Sequence, residues 1–186
     1  EGSDADTINY SNILTIGSQD EGECVGVATV GANMAVLKSR ASHIVTVAHD
    51  GEIGRVIKVS STVGCASNKS ILNFDDACCW LSDKGVFALS KTSEPDELTS
   101  DIENIFTDNP YSLDFYNSRV TINRFNELLF FYCPHASNSS LDRTLVYSYK
   151  YKEWFFFKGI DGSNGFYDTG SGLYFNDSTS MRKIDG

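Results

Sequence analysis

One segment pattern recurs four times along the chain and constrains its fold more than any other feature. Each copy opens with an apolar, strand-forming run and continues into a short polar turn, and most copies return through a second apolar run. The copies begin at Met34, Cys79, Leu128 and Leu173, so the intervals are 45, 49 and 45 residues. A period in the forties built from strands is typical of propeller blades. The pattern therefore predicts an all-β, antiparallel meander of about four propeller-like repeats.

The fourth copy is the least complete, because the sequence ends at Gly186 directly after a single hairpin. Four blades is also the lower end of the usual propeller range. We therefore expect one propeller-like domain over residues 1–186 whose last repeat is incomplete. We expect such a chain to be a fragment, or a segment that completes its sheets with other chains.

The stretch 91–110 interrupts the strand pattern, since it is rich in Ser, Thr, Asp and Glu. Its four large apolar residues follow a helical i, i+4, i+7, i+8 spacing; they are Leu98, Ile102, Ile105 and Phe106. The spacing predicts one short helix near residues 96–107, capped by Ser93 and ended by Asn109-Pro110. We interpret this stretch as an excursion between two blades.

Composition excludes some classes of protein. The formal net charge is −10, which argues against a surface that follows nucleic-acid phosphates. The charge is compatible with a solubilised surface, or with a lumen to which DNA does not stick. The five cysteines form no C-x-x-C pair, which favours synthesis in a reducing cytoplasm. No apolar run approaches eighteen residues, so we expect no membrane anchor.

An aromatic run, Trp154-Phe155-Phe156-Phe157, follows a strand and a polar turn. It has two interpretations: a stacking platform for sugars or bases, or packing between adjacent blades. Propellers need bulky residues between their sheets, so packing is the favoured interpretation.

Other reactive side chains give no recognisable site. The acidic pairs Asp20-Glu21 and Asp75-Asp76, and the near pair Asp4 and Asp6, lie in turns, where neighbouring carboxylates point apart and are usually solvated. They fit loose calcium sites, but without EF-hand spacing. No metal-binding spacing links the three histidines, which are His43, His49 and His135. Nucleophile and nucleotide-binding motifs are also missing. We therefore assign no catalytic, cofactor-binding or metal-binding residue and predict that the protein is not an enzyme.

Several segments together resemble a known family. Ser61-Thr-Val-Gly-Cys-Ala-Ser-Asn-Lys-Ser-Ile71 resembles a VGC-x-S-x-x-S segment, and Trp80-Leu-Ser-Asp-Lys-Gly-Val-Phe-Ala-Leu89 resembles a strand-SD-x-G-strand segment. Similar likenesses begin at Gly17, Leu145 and Gly172, so the resemblance runs in order over about residues 13–184. The proteins are the tail hub or nozzle propellers of podovirus-like tailed phages, often called phage stabilisation or tail tubular proteins. Ser148 stands where that family commonly has Asp.

The resemblance implies a non-enzymatic structural protein of the virion, made in the host cytoplasm. Rings of such subunits extend the portal or adaptor, contact tail fibres or spikes, retain packaged DNA and let it pass on ejection. An alternative is a carbohydrate-binding or glycan-cleaving propeller for receptor recognition, although the chain has no Asp box and no recognisable arginine trio for a carboxylated sugar. A kelch-like interaction scaffold is a third class, but the Gly-Gly pairs typical of it are missing.

Overall fold

The computed structural model describes residues 14–47, 53–90, 94–124, 126–137, 143–157, 166–168, 173–176 and 181–184. These residues form four successive antiparallel meanders, in which each strand pairs with the next one along the chain. Sheet 1 contains β1 (Cys24–Val30), β2 (Asn33–Lys38), β3 (Ser42–Val47) and β4 (Ile53–Ser60). Sheet 2 contains β5 (Leu72–Phe74), β6 (Ala77–Leu81), β7 (Val86–Leu89) and β8 (Asp96–Glu97).

The third sheet repeats the four-stranded plan, and three strands are described in the fourth. Sheet 3 contains β9 (Arg119–Asn123), β10 (Leu128–Cys133), β11 (Arg143–Ser148) and β12 (Glu153–Phe157). Sheet 4 contains β13 (Phe166–Asp168), β14 (Leu173–Asn176) and β15 (Met181–Ile184). The prediction of an all-β meander with four repeats is confirmed. The four recurring segments supply β2, β6, β10 and β14, the second strand of each sheet.

The sheets follow each other in space as well as in sequence. The first strand of each sheet contacts the next sheet, since β1 touches β5, β5 touches β9 and β9 touches β13. Propeller blades are four-stranded meanders arranged in this manner around an axis.

Strand β6 of sheet 2 is apolar at every position because it is covered on both faces. Cys78 and Trp80 of β6 belong to the core shared with sheet 1, and Cys79 and Leu81 belong to the core shared with sheet 3. Successive side chains of a strand point to opposite faces, so a strand covered on both sides buries all of them. All four side chains are fully buried. The two neighbouring cysteines therefore face different cores.

The stretch after β7 contains the one short helix predicted near 96–107, but this helix fills only the end of that range. Asp96 and Glu97 form β8 on the edge of β7, and the Leu98 N–H donates to the Val86 carbonyl. Only Asn104–Thr107 is α-helical (α1), and a 3-10 turn at Ser100–Ile102 precedes it. The expected cap, Ser93, lies outside the described residues.

Tertiary pairing overrides the helical spacing here, because β7 would otherwise leave an edge of unpaired backbone groups. The stretch 91–110 was expected to lie between two blades as an excursion, but its helix is part of the core. Ile105 and Phe106 of α1 pack into the core between sheets 2 and 3, where Phe106 stacks on Phe115 at 5.0 Å. The predicted end of the helix is confirmed: Asn109 has a positive φ of 41°, and its side chain bonds both backbone groups of Leu113.

Candidate functional site

The segment Val63–Ser70 joins three sheets. The Cys65 N–H donates to the Lys38 carbonyl at the end of β2, and the Ala66 N–H donates to the Leu81 carbonyl at the end of β6. The Ser67 hydroxyl donates to the Ser118 carbonyl just before β9, at 2.9 Å. Sheets 1, 2 and 3 are therefore tied together by one short stretch of chain, which we call the joint segment.

Small residues in the joint segment have a physical reason. A Cβ atom on Gly64 would lie 2.3 Å from the backbone carbonyl group of Ser39, a distance that real carbon atoms do not reach. The Gly64 carbonyl also accepts the indole N–H of Trp80 at 3.0 Å. Ser70 is fully buried, and its hydroxyl donates to the Ser67 carbonyl at 2.7 Å and accepts from the Leu81 N–H at 3.3 Å. Glycine at position 64 and serine at position 70 thus allow the turn to fit between the sheets.

A polar cleft opens beside the joint segment, at the end of the sheets where β1, β5 and β9 begin. Two adjoining cavities, of about 570 and 450 Å³, share walls made by Ser67, Asn68 and Tyr116. Ligand sites commonly have this size and this concave shape. The larger cavity is otherwise lined by Lys69, Asp114, Asn117, Arg119, Tyr132 and the turn Pro134–Ser137. We call the two cavities together the end cleft.

The walls of the end cleft are held in place by local hydrogen bonds. The Asp114 carboxylate accepts the N–H groups of Tyr116 and Asn117 at 3.0 and 3.3 Å, so it caps the 3-10 turn Phe115–Asn117. It also accepts the Asn117 amide at 2.6 Å. A bridge between Leu113 and His135 fixes the opposite turn. The cleft is therefore formed before any ligand arrives.

His135 has one nitrogen engaged in this turn. Its Nδ1 accepts the N–H of Ser137 at 3.2 Å and lies 2.9 Å from the Ser137 hydroxyl. In a neutral imidazole, the accepting nitrogen carries no proton, so Nε2 carries it. The ring can therefore offer a ligand an Nε2–H donor. The sequence pattern assigns no role to His135, and it singles out Ser67, Asn68 and Lys69 only as part of the VGC-x-S-x-x-S segment.

A second polar cluster lies under the N-terminal turn and corrects the expectation of a solvated acidic pair. Asp20 is exposed, whereas Glu21 is only 6% exposed. The two carboxylates do point apart, as expected for adjacent turn residues. Glu21 nevertheless reaches sheet 1, where Lys38, His43 and Lys58 surround it. We call these four residues the Glu21 cluster.

Three strands provide the partners of Glu21. Lys58 of β4 forms an ion pair with Oε1, and Oε2 lies 3.2 Å from Nε2 of His43 and 3.6 Å from Nζ of Lys38. Lys38 also donates to the Ser18 carbonyl at 2.6 Å. The cluster thus fastens the turn before β1 to sheet 1.

The cluster shifts two pKa values in the acid direction. The hydrogen bond from Lys58, together with the Ser18 N–H and the nearby His43, holds the pKa of Glu21 below its usual value, although burial opposes this. Burial lowers the pKa of His43, assisted by Lys58 and Lys38, while Glu21 opposes the shift. His43 is therefore neutral at pH 7.

The other residues considered from the sequence lie apart from both clusters. Asp75 and Asp76 are exposed in the turn between β5 and β6, as expected, and Asp75 lies 3.8 Å from Arg124. Asp4, Asp6 and His49 lie outside the described residues. Within the described part of the chain, no group of three or more His, Cys, Asp or Glu side chains could hold a metal ion.

The residues of the aromatic run 154–157 lie in two different environments. The indole of Trp154 donates to the Leu98 carbonyl at 2.7 Å and contacts Tyr147 at a ring distance of 4.8 Å. Packing between sheets is therefore confirmed for Trp154. Phe155, Phe156 and Phe157 are instead about two-fifths exposed, at 44%, 43% and 39%. These three rings lie on β12, which ends the strand order of sheet 3.

Four of the five cysteines are buried, and Cys24 is exposed. Burial raises the pKa of Cys65 to about 11 and that of Cys78 to about 12. All five thiols are free. The four buried thiols behave as small apolar groups rather than nucleophiles.

The fold and the end cleft define an all-β protein of successive antiparallel meanders with a polar cleft at one end. A scan against models of protein families and a search of curated proteins both found no match for the chain. In the described residues, no helix has the length and apolar character needed to cross a bilayer.

Proposed function

We propose that the chain is a structural propeller subunit of a tailed-phage virion. In this role it forms part of the tail hub or nozzle, between the portal or adaptor and the fibres or spikes. The proposal rests on the resemblance to that family, and one structural observation supports it most. The VGC-x-S-x-x-S residues that carry the likeness are the joint segment, which ties three sheets together.

The residue types of the shared pattern are explained by this joint. Gly64 leaves room for the Ser39 backbone, while Cys65 and Ser70 are buried beneath the turn. The departure at Ser148 has an equally simple account. The Ser148 hydroxyl accepts the Tyr151 N–H at 3.3 Å, the type of turn bond that an Asp carboxylate also makes. Both observations support a common scaffold and leave the role itself to experiment.

Assembly into a ring needs a contact surface, and we assign it to β12. This strand pairs with β11 on one side and exposes three phenylalanine rings. An edge strand with apolar side chains is a ready template for pairing with another chain. We propose that a neighbouring subunit covers this edge. The net charge of −10 suits a DNA conduit, because a polyanion gains little by adhering to an acidic surface.

The first experiment asks whether the protein belongs to the virion. Purified particles of the encoding phage are analysed by mass spectrometry, and particles lacking the protein are tested for retention of packaged DNA. We expect the protein in the particles at several copies per tail, and loss of DNA without it. Its absence from purified particles would refute the proposed function.

The second experiment tests the β12 edge. We expect the wild-type chain to form a closed oligomer, alone or on the adaptor ring, when its mass is measured in solution. The double variant Phe155→Glu/Phe157→Glu should remain a monomer. Ile53→Glu is the matched control, because Ile53 is 52% exposed on the fourth strand of sheet 1. Equal assembly by both variants would show that β12 is not the contact.

A further inference from the structure

The end cleft is lined by more cationic than anionic side chains, although the chain as a whole is acidic. The chain has a formal net charge of −10, but Lys69 and Arg119 outnumber the one carboxylate, Asp114, in the larger cavity. That carboxylate already accepts three N–H groups from its own turn. Arg40 adds a third cation in the adjoining cavity, which Glu23 also lines. The cleft is therefore a local site for an anion on an acidic protein.

The cation side chains are available for such an anion. Neither Lys69 nor Arg119 takes part in any of the ion pairs in the described residues. Arg119 is half-buried at the start of β9, where its charge is less screened than on an open surface. A guanidinium group binds carboxylate or phosphate oxygens in a bidentate manner. His135 lines the same cavity, and its Nε2–H is a further hydrogen-bond donor.

The remaining walls of the cleft suit a ligand larger than a bare ion. Tyr116 is 64% exposed and belongs to both cavities, so its ring is presented as a flat apolar surface. The amide groups of Asn68 and Asn117 can pair with hydroxyl groups. A volume of about 570 Å³ holds a ligand far larger than phosphate. An exposed aromatic ring, amides and cations together match a charged sugar.

We propose that the end cleft binds an anionic saccharide. Its carboxylate or phosphate group lies against Lys69 and Arg119, and one sugar ring stacks on Tyr116. Three cations around one cleft are too few to follow a nucleic-acid backbone, which needs a basic surface over many phosphates. The site is distinct from the β12 edge, so it does not depend on the proposed assembly.

The test is a binding titration of the full chain with a small panel, by calorimetry or ligand-observed NMR. The panel contains a uronic-acid oligosaccharide, a sugar phosphate, the matching neutral oligosaccharide and inorganic phosphate. We expect one of the two charged sugars to bind at least about tenfold more tightly than the neutral one, the effect of one charge-assisted hydrogen bond. The charged sugar that binds identifies the source of the anion. Binding should weaken as salt rises.

Matched variants place the ligand. Tyr116→Ala and Arg119→Gln should each reduce affinity about tenfold or more. Tyr151→Ala and Lys152→Gln should not, since Tyr151 is similarly exposed at 69% but lies in the β11–β12 turn. Circular dichroism checks that each variant is folded.

Three results would overturn the proposal. One is no binding to either charged sugar. Another is equal binding of inorganic phosphate and the charged sugars, which would reduce the site to an ion site. The third is an equal loss in Tyr116→Ala and Tyr151→Ala, which would place the ligand elsewhere.

Discussion

Trp80 gives the sharpest test of how the sheets are held together. Its side chain is fully buried in the core between sheets 1 and 2, and its indole N–H donates to the Gly64 carbonyl at 3.0 Å. Replacing it with Phe removes part of the ring and the donor at once. The variant Trp80→Phe should therefore lose stability through two separate effects.

The two effects have different magnitudes. A void on the order of 40 Å³ costs about 1 kcal/mol, at about 24 cal/mol per Å³ of cavity. A buried carbonyl left without its donor costs about 1–3 kcal/mol. The free energy of unfolding should therefore fall by about 2–4 kcal/mol. The matched variant Trp154→Phe should lose less, about 1 kcal/mol, because Trp154 is only partly buried and water can replace its hydrogen bond to Leu98.

Urea denaturation followed by fluorescence measures both variants. The chain has two tryptophans, so each variant keeps one reporter: Trp154 between sheets 2 and 3, or Trp80 between sheets 1 and 2. Coincident transitions by fluorescence and circular dichroism within each variant would indicate that the sheets unfold as one cooperative unit. An equal loss in the two variants, or a loss below about 0.5 kcal/mol in Trp80→Phe, would refute the argument for the joint.

Three further predictions follow from single contacts. Gly64→Ala should destabilise the fold by about 1–3 kcal/mol or more in the same urea assay, since its new Cβ would overlap the Ser39 backbone; a neutral result would mean that the turn relaxes freely. The free energy of unfolding should fall as pH drops below 6.5, because the lowered pKa of His43 means that the unfolded chain binds a proton at this histidine more readily than the folded chain does. The variant His43→Gln should lack this loss of stability. A second loss should begin below pH 4.5 as Glu21, whose pKa is also lowered, becomes protonated; unchanged melting temperatures from pH 7 to pH 4 would contradict both. Cys24 should be the one thiol that reacts with a disulfide reagent in the native protein, and all five should react in urea; rapid native labelling of a buried thiol would show that its sheet opens.

The sheets could be predicted because their signal is local and repeated. Strand after strand is rich in β-branched and aromatic residues and is followed by a turn, so the four meanders and their second strands were visible in the sequence. The short helix near 96–107 is confirmed, but the helical spacing, a property of that window alone, predicts a longer helix than the observed Asn104–Thr107. What decides its structure is the open edge of β7, which lies outside that window.

The end cleft could not be predicted in the same way. Lys69, Tyr116 and His135 come from three separate turns, and each turn alone is an ordinary polar loop. Only the stacking of sheets brings these turns to one end. The burial of Glu21 could not be predicted for a related reason, since its partners come from β2, β3 and β4. A carboxylate in a turn carries no sequence signal of burial.

The geometry of sheet 3 makes the two proposals separable. Arg119 opens β9, one edge of the sheet, and the exposed phenylalanines lie on β12, the other edge. Four strands at about 4.8 Å spacing place these edges about 14 Å apart. Phe155→Glu/Phe157→Glu should therefore abolish assembly and leave saccharide affinity unchanged, while Tyr116→Ala should do the reverse. If either variant impaired both properties while remaining folded, the cleft and the edge would have to be parts of one composite surface between neighbouring subunits.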